Sequence, residues 1–229
     1  MKIKNEKEVM RAFCEKDNLH SHLKKPFRNP NDNGRIWATD GRCLLTVDPK
    51  LVRCKYPEYT MSIPVSMAEN CNTIVTLDDI EAAYNSLGKE PEYRYEEGDI
   101  IRCPECDGSG HVDFEYYCEV NGRNYQEEED CPYCNGSGEA PELKKVPTGR
   151  MLVPDYSFLR IDGTLFLPRI IIGALDGLRL LSVTQLNHRI NNDSGANLFH
   201  VSDGIELYIM CCLGNEKPVY KDVKTTELT

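Results

Sequence analysis

No run of about 18 apolar residues occurs in this 229-residue chain, so no segment qualifies as a membrane-spanning helix. The opening MKIKNEKEVM is charged and lacks a signal peptide's apolar stretch, so a cytoplasmic setting is expected. A phosphate loop, a nucleophile elbow and a His-Glu metalloprotease motif are all missing, which removes the most readable routes to catalysis. Hydrophobic residues reach only 40%, below the roughly 45–50% of a compact domain, so some segment is poor in core. Bases are also short, 27 against 37 acids.

The deficit of bases is local. Between Asp99 and Glu139 stand eleven carboxylates and only Arg102 and Arg123, which accounts for nine of the ten net negative charges. That segment therefore reads as a separate module.

Cysteine is abundant, with eleven in the chain. Without a secretory signal, paired cysteines read as metal ligands before disulfides. CPECDGSG at 103–110 and CPYCNGSG at 131–138 spell nearly the same eight letters twice. Two residues between cysteines let both sulfurs point inward from one tight turn, and two such turns complete a tetrahedron. Cys103, Cys106, Cys131 and Cys134 are the expected ligands of one Zn²⁺ per chain. The glycines let the chain fold back beyond each turn, and Pro104 and Pro132 stiffen the loops. A redox CxxC would want a βαβ setting, which is missing, and iron–sulfur spacings differ. Four thiolates complete the site, so His111 reads as a bystander and Cys118 as a strand residue. The few apolar groups between the pairs suit a hairpin strand but not a core, so the metal is expected to hold the module.

The two repeats resemble the CxxCxGxG units of the DnaJ-type co-chaperone cysteine-rich domain, over Cys103–Gly138. In that family four repeats bind two zincs, so two repeats imply one. The chain has no His-Pro-Asp tripeptide, no J-domain helix pair and no Gly/Phe-rich linker. The resemblance therefore implies a small zinc-clamped β-hairpin that binds protein, not a whole co-chaperone.

Outside the module the pattern is α+β. Asn5 and Glu8 are spaced as a capping box, with Val9, Met10, Phe13 and Cys14 on one helix face. In GRIWATDGRCLLTVD, two strand-like runs flank Asp40-Gly41, which suits a type I′ hairpin turn. Met61–Val65 is a further strand candidate. Thr76 caps a second helix, with Val75 and Ile80 as a staple and Gly88 as its end. LKKVPTGRMLVPD reads as a connector into Phe158–Phe166. Pro168 opens a third helix with Ile171, Ile172, Leu175, Leu178 and Leu181 as its stripe. Asn191–Gly195 reads as a turn, followed by a second Asp-Gly hairpin. Cys14 is read as a core thiol, His20 and His22 as surface histidines, and Cys211-Cys212 as buried. Asp40 and Asp203 are explained by their turns, not by catalysis.

Gly34–Val47 can be laid over Asn197–Met210, with Asp40-Gly41 on Asp203-Gly204 and Leu44 on Leu207. This suggests two copies of a helix-then-hairpin unit. The same stretch resembles the bacterial DNA polymerase III β sliding clamp, where a strand, an Ala-Thr-Asp-Gly turn and another strand recur. That resemblance implies a clamp-like domain of two similar halves, residues 1–97 and 141–229, with the zinc module at 98–140 inserted between them. Since a ring needs several such domains, it implies that the chain either oligomerises or acts as a single-domain relative. It also implies DNA contact through helix cations, here Lys7 and Arg11 on the first helix and Arg169 and Arg179 on the third.

Two functions are carried forward. One is a non-enzymatic binding protein, associated with DNA replication or repair, whose acidic zinc module docks on a protein partner. That module would repel phosphate backbones, so any DNA contact belongs to the body. The other is an enzyme or nucleic-acid-processing accessory with an unrecognised active site.

Overall fold

In the computed structural model, which describes residues 2–16, 21–62, 73–189, 195–212 and 218–228, the chain divides into two units. Met1–Gly88 joins Val153–Thr229 in one, the body, and Lys89–Leu152 forms the other. The body opens with α1 (Glu6–Ala12), then β1 (Phe27–Asn29), β2 (Arg35–Thr39), β3 (Cys43–Val47), β4 (Thr73–Thr76) and α2 (Leu77–Asn85). The second unit follows as β5 (Glu90–Arg102), β6 (His111–Cys118), β7 (Arg123–Asp130) and β8 (Glu139–Leu152). The body resumes with β9 (Ser157–Ile161), β10 (Thr164–Phe166), α3 (Pro168–Leu180), β11 (Gln185–Arg189), β12 (Ala196–Ser202), β13 (Ile205–Met210), β14 (Val219–Asp222) and β15 (Thr226–Glu227). Three helices and mostly antiparallel sheets among the described residues make the class α+β; only β14 on β9 pairs in parallel. No helix among the described residues is long and apolar enough to cross a membrane.

The main sheet runs β1-β2-β3-β13-β12-β11-β4-β15. Outward from the β3–β13 seam the order is β2, β1 on one side and β12, β11 on the other. A helix precedes each set of three, α1 the first and α3 the second. The two Asp-Gly hairpins therefore lie side by side, with Leu45 opposite Leu207 across the seam.

Alternation along the strands decides which side chains meet the helices. Ile36, Ala38, Leu45, Val75, Leu186, Phe199, Leu207 and Ile209 join Val9, Met10, Ile171, Leu175 and Leu178 in one core. Apart from Ala38, each such side chain contributes about 1.5–3 kcal/mol through burial. Trp37 falls on the opposite sheet face, in a smaller cluster with Leu23 and Phe27.

Several local readings need correction. Asn5 adopts a left-handed conformation and its side chain caps nothing; no capping box forms there. Instead the neighbouring Glu6 is buried and accepts from the amides of Arg53 and Cys54 and from the Tyr56 hydroxyl. Asp40-Gly41 turns the hairpin without the type I′ geometry, because only Gly41 has positive φ. The Asp40 carboxylate accepts from the amides of Arg42 and Cys43, which closes the loop instead. Thr76 does cap α2, accepting from the Asp79 amide, but the helix stops at Asn85, ahead of Gly88. The expected connector before Phe158 is largely strand β8, paired along β5 from Glu90–Leu152 to Arg102–Glu139. That pairing widens the second unit to Lys89–Leu152, beyond the 98–140 window. Cys211 and Cys212 are half-buried. His20, Ile63–Val65 and most of Asn191–Gly195 lie outside the described residues.

Candidate metal centre

The second unit has almost no apolar interior. Its hydrophobic cluster consists of Cys103, Cys106, Cys131, Cys134 and Ala140, with Val112 packed against it. Two antiparallel ribbons, β5–β8 and β6–β7, lead away from these cysteines.

Each cysteine pair sits on a tight turn built in the same way. Gly108 donates to the Cys103 carbonyl and Gly136 to that of Cys131. Ser109 and Ser137 place their hydroxyls 2.8 Å from the carbonyls of Cys106 and Cys134 respectively. The turns then clasp each other: Cys103 donates to Gly138 over 2.8 Å, and Cys131 to Gly110 over 2.7 Å. This exchange is what brings distant cysteines together.

Cys103 Sγ lies 3.9 Å from Cys131 Sγ, and Cys106 Sγ 3.8 Å from Cys134 Sγ. All four sulfurs fall within 4.8 Å of one another and all four residues are buried. Zinc–sulfur bonds of about 2.3 Å in a tetrahedron require sulfur separations of about 3.8 Å, so the donor set fits such an ion. The amides of Gly110 and Gly138 each donate to a sulfur, of Cys106 and Cys134, over 3.3 Å. Such donors stabilise thiolate charge, as second-shell groups do around bound metals.

Burial pushes against the thiolate form at both cysteines of the first pair, with opposite net outcomes. It dominates at Cys103, pushed up to about 11. At Cys106 the Gly110 amide and the thiols of Cys103 and Cys134 outweigh it and hold the group near about 6. Cys106 is thus the more readily ionised of the pair, and the thiolate is the form that captures a metal. A closed set of four sulfurs supplies structural crosslinking and leaves no coordination position for a substrate.

His111 turns its Nδ1 toward Asp130 at 3.3 Å, and Cys118 ends β6; neither belongs to the cluster. Lys7 and Arg11 are exposed on α1. Arg169 pairs with Asp155, and Arg179 with Glu81 and Asp176. Cys14 is buried and donates to the Met10 carbonyl.

Sequence reasoning missed a buried polar cluster in the body. His188 is fully buried, with Nδ1 2.7 Å from Asp162 and Nε2 3.2 Å from Asn197. Thr73 and Thr225 donate to the same Asp162 carboxylate. Burial opposes the charge on Asp162, but the hydrogen bonds from His188, Thr73 and Thr225 prevail and lower its pKa. The cluster ties the β9–β10 turn to β4, β11 and β12. Its members are too scattered in sequence to form a motif.

No protein family matches the chain, and no curated protein matches it. Its neighbours among solved structures are sliding-clamp proteins. A DNA polymerase III beta subunit from Eubacterium rectale is 11% identical, covering 91% of this chain and 63% of that one, at a TM-score of 0.38. The C. crescentus beta sliding clamp, solved with PEG bound, is 9% identical over 90% and 64%, at 0.40. The Borrelia burgdorferi DNA polymerase III beta subunit, in complex with a natural product, is 11% identical over 91% and 62%, at 0.41. The chain thus spans a little under two thirds of each. At such scores the architecture described above rests on this chain's own hydrogen-bond pattern.

Proposed function

We propose that the chain is a non-enzymatic protein-binding module whose acidic unit is held by one zinc ion. Cys103, Cys106, Cys131 and Cys134 are its ligands. The observation that carries this reading is the convergence of four buried sulfurs on two mutually clasped turns, in a unit with no other core. The arrangement suits the zinc-clamped hairpin that the CxxCxGxG resemblance implies. Zinc contributes the folding free energy that the missing apolar interior does not, about 10–16 kcal/mol for structural sites.

The body is read as clamp-like and replication-associated. Support comes from the Ala-Thr-Asp-Gly hairpin resemblance together with the two-fold order of the sheet. An apolar groove of 330 Å³ lies beside that hairpin, lined by Trp37, Thr39, Leu44, Met61, Tyr208 and Met210. Any DNA contact belongs to α1 and α3, which pack together and carry Lys7, Arg11, Arg169 and Arg179.

Metal analysis of the purified protein by mass spectrometry tests the zinc reading: about one zinc per chain is expected, and near none in Cys131→Ser. An unchanged content in the variant overturns the ligand assignment. DNA binding is measured at low and moderate salt, with and without residues 89–152. Salt-sensitive binding that survives the deletion supports contact through the body, and loss with the deletion refutes it.

A further inference from the structure

The β6–β7 hairpin sorts its side chains by strand alternation. Cross-strand pairs Phe114–Glu127 and Tyr116–Tyr125 fall on one face, with Val112–Glu129 on the next rung. Asp113–Glu128 and Glu115–Gln126 fall on the other. The first face therefore presents three rings, with Glu127 and Glu129 toward one end and Arg123, on the Cys118 rung, at the other. Those rings stand largely open to solvent among the described residues: Phe114 is 52% exposed, Tyr116 65% and Tyr125 49%. The Asn121 amide donates to the Tyr125 hydroxyl and steadies that ring.

The neighbouring ribbon shows what such rings take. There Lys145 Nζ lies 4.2 Å over the centre of the Tyr93 ring. Arg123 is the one lysine or arginine among residues 111–130, against seven carboxylates, and it sits at the Cys118 end of this face, so it leaves Phe114, Glu127 and Glu129 without a cation from the hairpin's own strands. We infer that this face of the hairpin docks an extended, basic polypeptide segment whose cations lie over Phe114, Tyr116 and Tyr125 and pair with Glu127 and Glu129. Successive rungs on one face are about 6.6–6.8 Å apart, the spacing of alternate side chains in an extended strand. The best match is therefore a basic residue at every second position. A second copy of the hairpin would bring like charges together, and a nucleic-acid backbone is repelled.

The inference rests on the zinc-held reading of the unit, and the test separates the two. The full-length protein, its zinc content measured in every sample, is titrated into a fluorescein-labelled octapeptide of alternating Arg and Val, with alternating Glu and Val as control. Binding of the basic peptide only, weakened by added salt, is expected. The double variant Tyr116→Ser with Tyr125→Ser should weaken it at least about fivefold. Glu127→Lys with Glu129→Lys should weaken it well beyond Asp113→Lys with Glu128→Lys, which makes the same charge change on the opposite face. Equal loss from both charge reversals, or no loss from the ring variant, overturns the docking face in favour of diffuse attraction. Absence of binding in fully zinc-loaded protein overturns the docking and leaves the zinc site standing. Absence of zinc in protein that binds the peptide does the reverse. Competition by a DNA oligonucleotide for the same face would also overturn the inference.

Discussion

Gly110 lies so close to Gly136 that a Cβ at position 110 would stand 2.4 Å from the Gly136 carbonyl oxygen. The mirrored contact, Gly138 on the Gly108 carbonyl, would close to 2.6 Å. The last glycine of each repeat is therefore the seat of the other repeat's backbone, and both have positive φ.

Gly110→Ala or Gly138→Ala should prise the two turns apart. Either is expected to release zinc to a competing chelator at least about tenfold more readily, since the added Cβ would push the facing carbonyl oxygen, and with it the other cysteine turn, out of place. Gly149→Ala is the control: its φ is +81° but nothing lies within 4 Å, so zinc retention should match wild type. Equal retention in all three variants would refute the clasped geometry.

The body should stay folded when the metal leaves. Trp37 is the chain's sole tryptophan, lies in the body and is 1% exposed. Its emission should not shift on chelation or in Cys131→Ser, while the second unit loses its ellipticity. His111→Ala should keep its full zinc. A red shift of Trp37 on chelation would show that the two units fold as one.

Gly177 is where α3 meets Phe13: a Cβ there would lie 2.3 Å from the Phe13 ring. Alanine gains about 1 kcal/mol in helix propensity over glycine, but overpacking a buried ring costs about 1–3 kcal/mol. Gly177→Ala is expected to lower the urea midpoint read by Trp37. Adding Phe13→Leu to Gly177→Ala should recover part of the loss. A raised midpoint in the single variant would mean the helices part freely.

Asp162 carries a pH dependence with a definite sign. Its folded pKa lies below the ordinary carboxylate value, so its contribution is complete above about pH 4. It fades as the pH falls through the lowered folded value. Asp162→Asn should cost about 1.5–3 kcal/mol at pH 6, because it removes the charged acceptor that His188, Thr73 and Thr225 share. The gap to wild type should narrow toward pH 2. Denaturation series read by Trp37 check this, and a gap that stays constant with pH would refute it.

The strongest readings from sequence were those with short-range causes. Thr76 caps α2 and Pro168 opens α3 because caps and first turns depend on residues three or four apart. The two hairpins surfaced because Asp-Gly between apolar runs is a local signal. The capping box at Asn5 failed because Glu6 found better partners at Arg53, Cys54 and Tyr56, some fifty residues away. Strands β5 and β8 went unread because their side chains are mostly exposed, leaving no apolar alternation to detect. The Asp162–His188 cluster was invisible for a related reason: its residues meet only after three strands, the β9–β10 turn and the segment holding Thr225 have assembled.

By itself the sequence determined which four cysteines form one candidate metal site, the acidic character of the unit that carries them, and the helix–hairpin pattern repeated at both ends. Ligand chemistry, charge and periodicity are properties of residue type and spacing, so they need no fold to be read. Only the tertiary structure decided that the two cysteine turns clasp through each other's glycines, that the hairpins meet at β3 and β13, and that three rings share one open face. Those facts depend on which distant backbones approach each other, and no local pattern encodes such an approach.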